Sequence, residues 1–260
     1  MASITDPARE LGEIAKRLSV GTNAKGAQFL AEQFGVGAWS TPFYRILACV
    51  LERADLVASV VRRSRMDEDL KEDAITHLDG FKSAFHGGSL INPWNHAGYG
   101  LSLLQKHGQP VQFLSSDVRP VVNFPRLTDV EVNEFLGLID AYCTELGEAH
   151  ETPEFVRQAI LDGLAGLRFQ LEYMGWMGAG YTLAAFRHVM MIYESVQRDQ
   201  ADDAFDAAQV LRGLGGILVR FKETVEKAQS WADAGGTVFK VWQLGSSVAT
   251  PLLLAHMARG

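Results

Sequence analysis

Over most of the chain apolar residues recur three and four positions apart, the spacing that lines one face of an α-helix. Asp6-Pro7 supplies an N-cap followed by proline at the first helical position, which predicts a short amphipathic helix to about Ser19. Asn23 is placed to cap a second helix that ends near Gly35, where a missing Cβ suits a left-handed C-terminal residue. Thr41-Pro42 repeats the cap-plus-proline signal and opens a helix with Ile46, Leu47, Val50, Ala54, Val57 and Val61 on its stripe. A more polar helix starts at Asp67, with Leu70, Ala74, Ile75, Leu78 and Phe81 facing inward.

Between Phe85 and Arg126 this periodicity fails. The stretch holds five glycines and four of the eight prolines. A short helix fits around Leu101 to Lys106. Residues 110–126 contain β-branched and aromatic residues, but three prolines argue against a central strand. The expectation is an ordered but irregular connector over 86–126, between an N-terminal helical portion (1–85) and a C-terminal helical bundle (127–260), all within one continuous domain or divided at the connector.

Helical spacing resumes at Thr128, which forms a capping-box pair with Glu131 and precedes a stripe of Val132, Phe135, Ile139, Tyr142, Cys143 and Leu146. Thr152-Pro153 opens the next helix, with Phe155, Ile160, Leu164, Leu167 and Leu171 as its stripe. After the glycine-rich corner 175–180, a helix containing Leu183, Phe186, Val189, Met190, Ile192 and Tyr193 is apolar around most of its circumference, which predicts a central place. A last long run starts at Asp202 or Asp203 and reaches about Asp233. The fold class expected is therefore all-α, a bundle of about eight to ten helices with an irregular central connector. Unequal intervals between Pro7, Pro42 and Pro153 exclude a solenoid period.

The end of the chain departs from this pattern. Val241 to Ala258 contains no Asp, Glu, Lys or Arg. A membrane-spanning helix needs about 20 predominantly apolar residues. Gln243, Ser246, Ser247, Thr250, Pro251 and His256 dilute this run, and only Leu252, Leu253 and Leu254 form a continuous apolar block. The expectation is a helix packed on the 202–233 run, with Trp242 and the three leucines as the groups that would meet a membrane or another protein.

Charge narrows the function classes. The net charge is −7, and since residues 1–130 carry 14 basic and 14 acidic residues, the excess lies wholly in the second half. That balance argues against a nucleic-acid surface, which needs a basic face to displace counterions from phosphate. From Leu127 to Val156 the chain carries Glu131, Glu134, Glu145 and Glu148 among eight acidic residues and no Lys or Arg. This tract is a solvated face or a docking surface for a basic protein, in which case salt weakens the contact. Cys49 and Cys143 sit in apolar helical patterns outside any CxxC or Cys/His spacing, so a cysteine-built zinc site is not expected. The first residues lack a secretory pattern, which points to a cytoplasmic protein, peripheral to a membrane if the last segment engages one.

Two groups carry candidate chemistry. His86, Trp94 and His96 lie in the proline- and glycine-rich stretch, with His107 and Asp117 nearby, but no HxH or HExxH spacing joins them. They would act only by converging with a carboxylate from the helices. Tyr173, Trp176, Tyr181, Arg187 and His188 flank the 175–180 glycines, and aromatic rings beside an Arg-His pair suit a planar or anionic ligand. Both groups have a plain structural reading as loop and corner packing. No phosphate-binding loop, dinucleotide fingerprint or nucleophile elbow is present, and no metal or cofactor is expected. The block from Phe155 to Leu183 resembles helical proteins of bacteria without attaching to a named family. The expected function is a non-enzymatic interaction protein that binds a protein partner or itself, as a component of a bacterial regulatory or defence assembly. The alternatives are a membrane-acting effector using 241–258 and an enzyme using the loop histidines.

Overall fold

The computed structural model describes residues 3–148, 152–199 and 208–232. They form an all-α protein with one two-stranded ribbon, β1 (Ser3–Thr5) paired with β2 (Phe124–Arg126). The chain divides into two compact units. The first spans Thr5–Phe124 and also takes in Trp176–Gly178; the second holds Pro125–Gly175 and the helix residues from Ala179 on.

In the first unit α1 (Pro7–Leu18) starts where Asp6 accepts a hydrogen bond from the Arg9 N–H at 3.0 Å, with Pro7 filling the position that needs no donor. Helix α2 (Gly26–Phe34) ends at Gly35, which takes φ +72°. Asn23 does not cap it: Lys25 holds the capping position, and the Asn23 side chain accepts instead from the Asn95 amide at 2.8 Å. Helix α3 (Thr41–Arg63) is capped one residue earlier than the sequence suggests, by Ser40, whose hydroxyl accepts from the Phe43 N–H. Helix α4 (Glu68–Ser83) turns Ala74, Leu78 and Phe81 inward, whereas Leu70, in its first turn, is 53% exposed.

Residues 86–126 are largely helical rather than irregular. They carry α5 (Gly87–Ile91), α6 (Gly100–Phe113) and α7 (Ser115–Val118). Helix α6 packs on both α1 and α4 and is central to the unit. Its glycines serve close approach rather than turning. A Cβ at Gly108 would come 2.4 Å from the Ala15 Cβ, and one at Gly100 would lie 2.1 Å from the Trp94 ring. Pro110 sits inside the helix. The glycines and proline that suggested a loop are here the means by which a helix enters a crowded core.

The second unit is a closed ring of four helices: α8 (Asp129–Glu148), α9 (Glu154–Glu172), α11 (Ala179–Asp199) and α12 (Ala208–Ala232), each packed on the next and α12 on α8. The four-residue α10 (Met174–Met177) precedes α11. Thr128 and Glu131 form the expected capping box: the Glu131 carboxylate accepts from the Thr128 N–H at 2.7 Å while the Thr128 hydroxyl accepts from the Glu131 N–H. The interior joins Phe135, Ile139, Ile160, Leu164, Leu167, Phe186, Val189, Leu214 and Phe221. Phe155, placed on the α9 stripe by its spacing, is instead 73% exposed. The next residue, Val156, four before Ile160, takes the buried face instead, and Phe155 is turned away from it. Among the described residues no helix is long and apolar enough to cross a membrane.

Candidate functional site

The histidine group of 86–126 does not assemble. His86 is exposed at the residue before α5, and exposed His96 lies against Tyr99 with ring centroids 5.4 Å apart. Trp94 is a core residue: its indole N–H donates to the Leu18 carbonyl at 3.1 Å and its ring packs 5.1 Å from Phe29. Among the described residues no group of three His, Cys, Asp or Glu side chains is placed to hold a metal ion.

The second group is parted as well. Tyr173 follows α9 as its C-cap and its ring tilts against Phe169 at 4.8 Å, with burial pushing its hydroxyl pKa upward. Tyr181 and Arg187 are half-buried on α11 and His188 is exposed there. Trp176 belongs to the first unit. Its ring meets Phe34 edge-on at 5.0 Å and lies under the Arg17 guanidinium, 3.6 Å from the ring centroid. Its carbonyl accepts from Arg53, whose guanidinium also donates to Glu10 at 3.0 Å and to the Cys49 carbonyl at 3.3 Å. Gly178 follows with φ +100°, and a Cβ there would come 2.6 Å from the Glu10 carboxylate. These are satisfied core contacts that seat a three-residue segment.

The acidic tract is less bare than the sequence implies. Glu131 is spent on its cap, and Glu134 pairs with Arg220 of α12. Asp140 pairs with Arg168 of α9 at 2.7 Å. Glu145 and Glu148 are exposed. Trp242, Leu252, Leu253 and Leu254 lie outside the described residues.

A different surface combines features that sequence spacing did not pick out. Between α2 and α3 the Ser40 N–H donates to the Gly37 carbonyl at 3.1 Å, closing a turn over residues 37–40. Trp39, its third residue, has φ +63°, the only positive φ among the described non-glycine residues. That position of a turn ordinarily takes Gly or Asn, because a Cβ crowds the following backbone. For a bulky residue the strain is on the order of 1–3 kcal/mol. Burial does not offset it fully, because Trp39 remains 47% exposed and Tyr44 beside it 52%.

The Trp39 ring is braced from behind. It meets Phe43 edge-on at 5.8 Å and Tyr44 at 6.1 Å, and Phe43 in turn lies 6.0 Å from Phe34. Phe43 is fully buried, so an aromatic series runs from the surface pair through Phe43 and Phe34 to Trp176. Rings held by rings lose few rotamers when a second surface covers them. Helical spacing could not mark Trp39, which lies in a turn; the bare signal was a tryptophan between Gly37 and Ser40. Set against known proteins, the chain matches no family model, and no curated protein or solved structure matches it.

Proposed function

We propose that this chain is a non-enzymatic helical interaction protein, a component of a larger assembly, that docks a protein partner on the Trp39–Tyr44 face. The observation that carries the reading is the backbone of Trp39: a left-handed tryptophan, half in solvent, held in place by its aromatic neighbours. Strain kept at an exposed aromatic is accounted for when the exposed half is covered in a complex. Trp and Tyr are also the residue types that dominate binding energy at the centres of interfaces. The reading moves the docking surface away from the acidic tract, where Glu131 and Glu134 already have partners within the chain.

Photo-crosslinking tests it. A benzophenone amino acid at position 44, in the chain expressed in its own cells, is expected to give one discrete adduct. The adduct disappears in Trp39→Ala, and in a lysate of those cells it still forms when irradiation is done at molar salt, because an aromatic contact is screened far less than a charged one. Adducts that match those from position 155 on the second unit, or that survive Trp39→Ala, overturn the assignment.

A second reading is favoured by composition alone: the charge-free segment 241–258 contacts a membrane through Trp242 and Leu252 to Leu254. Vesicle flotation decides it, with binding by the full chain lost on truncation after Lys240.

A further inference from the structure

His77 of α4 and His107 of α6 meet where their helices pack, with Nδ1 atoms 3.0 Å apart and ring planes at 63°. We propose that this pair is an acid-sensitive latch: it holds α6 on α4 while at least one ring is neutral and lets go when both are charged.

The count of protons follows from the facing atoms. At this spacing one Nδ1–H donates to the bare Nδ1 of the other ring. A first added proton goes to the outer Nε2 of the donor ring and leaves that bond in place. A second has to sit on the accepting Nδ1, and two N–H groups then point at each other with their hydrogens only about 1 Å apart. The closed pair therefore carries at most one charge, where two separated imidazoles carry two.

The fold gives the rings little room to turn apart. His107 is 6% exposed, and its ring is seated on Gly80, where a Cβ would come 2.4 Å from Nε2. Relief thus comes by parting the helices. The charges that bear on His107 are cationic: burial, then His77 and Lys106, hold its pKa below the usual histidine value. Carboxylates on the surrounding helices are engaged elsewhere. Glu10 and Glu13 of α1 pair with Arg53 and Arg9, and Asp55 of α3 and Asp79 of α4 share Lys82. Asp73, one turn before His77, stands in solvent, where its charge is screened. What acid changes is the seat of α6, which packs on both α1 and α4, and with it the cover over Leu104 and Val111.

Hydrogen exchange of the full chain tests the latch, read as protection relative to unstructured amides at each pH. A closed state that refuses one proton loses protection about tenfold per pH unit below pH 6. This loss is expected in α4 and α6 and not in α9 of the second unit. In His77→Gln the amide can turn its oxygen to a charged His107, so the loss should vanish over the same range. His107→Gln should behave alike; half-exposed His77 is the safer substitution and decides the matter if His107→Gln does not fold. Protection of α6 that ignores pH overturns the proposal, as does a loss that His77→Gln leaves unchanged. A loss of about a hundredfold per unit, the mark of two refused protons, overturns it as well.

Discussion

At the centre of the first unit lies an ion pair: Arg53 is 4% exposed and Glu10 5%, joined at 3.0 Å and completed by backbone carbonyls. At the centre of the second lie rings. Phe221 stacks on Phe186 at 4.1 Å with 16° between planes and tilts against Phe135 at 5.0 Å. One interior is specified by directional bonds, each of which must be satisfied, and the other by shape. Losing a directional partner leaves its mate stranded, whereas losing a ring leaves a cavity. The two units should therefore fail differently and be rescued differently.

The largest effects test this directly. Arg53→Met takes the guanidinium away from the buried Glu10 carboxylate and the Trp176 carbonyl, and should cost about 3–5 kcal/mol. Adding Glu10→Leu should recover more than half of that, since the buried charge is gone and apolar groups replace both members of the pair. Phe221→Ala should cost about 3–5 kcal/mol through cavity formation, and no second truncation in the ring should restore it. Urea unfolding of the three variants measures all of this. An Arg53→Met cost below about 1 kcal/mol would show that water reaches the pair and that the contrast is false.

Intermediate effects come from pH, and they have opposite signs in the two units. Burial, His77 and Lys106 lower the pKa of His107. The unfolded chain then takes up a proton near pH 6.5 while the folded one resists, so stability is full above that value and declines as pH falls below it. Tyr142 in the second unit is the converse. Burial, with Glu145 adding to it, raises its hydroxyl pKa, and the hydroxyl donates to the Val210 carbonyl at 2.7 Å. The unfolded tyrosine ionises near pH 10 and the folded one does not, so its contribution is full below pH 10 and lost above it. Thermal melts across pH should show an acid limb diminished in His107→Gln and an alkaline limb diminished in Tyr142→Phe. A single limb abolished by both variants would mean that the units do not titrate separately.

The same contrast explains what the sequence disclosed. The four-helix ring was legible because apolar side chains at three- and four-residue spacing are themselves its interior, and the Thr128–Glu131 box marks its start. Helix α6 was not, because Gly100, Gly108 and Pro110 read locally as breakers; their role depends on Trp94 and Ala15, which reach them from elsewhere in the fold. Arg53 and Glu10 are 43 residues apart and Trp176 a further 123, so no window contains their network. His107 was visible as a loop histidine, but its partner His77 sat on what looked like an ordinary polar helix face. Trp39 was silent because its strain resides in a backbone angle, which residue type does not encode.

The smallest effect bears on the acidic tract. Arg220 pairs with Glu134, and Arg168 bridges Asp140 on α8 and Glu172 on its own helix, all with exposed or half-exposed side chains. Pairs of this kind contribute about 0.2–1 kcal/mol each and fade as salt rises. Arg168→Gln with Arg220→Gln should thus lower stability by under about 2 kcal/mol at low salt, with the loss shrinking at molar salt. If the loss is larger, or indifferent to salt, the second unit depends on directional pairs as the first does, and shape alone does not specify it. If it is small, the two arginines chiefly neutralise the face of α8 rather than hold the ring closed. The double variant then takes the cationic partners from Asp140 and Glu134 on an intact fold. An adduct at position 44 that forms equally well in this background would separate partner docking at Trp39 from acidic steering.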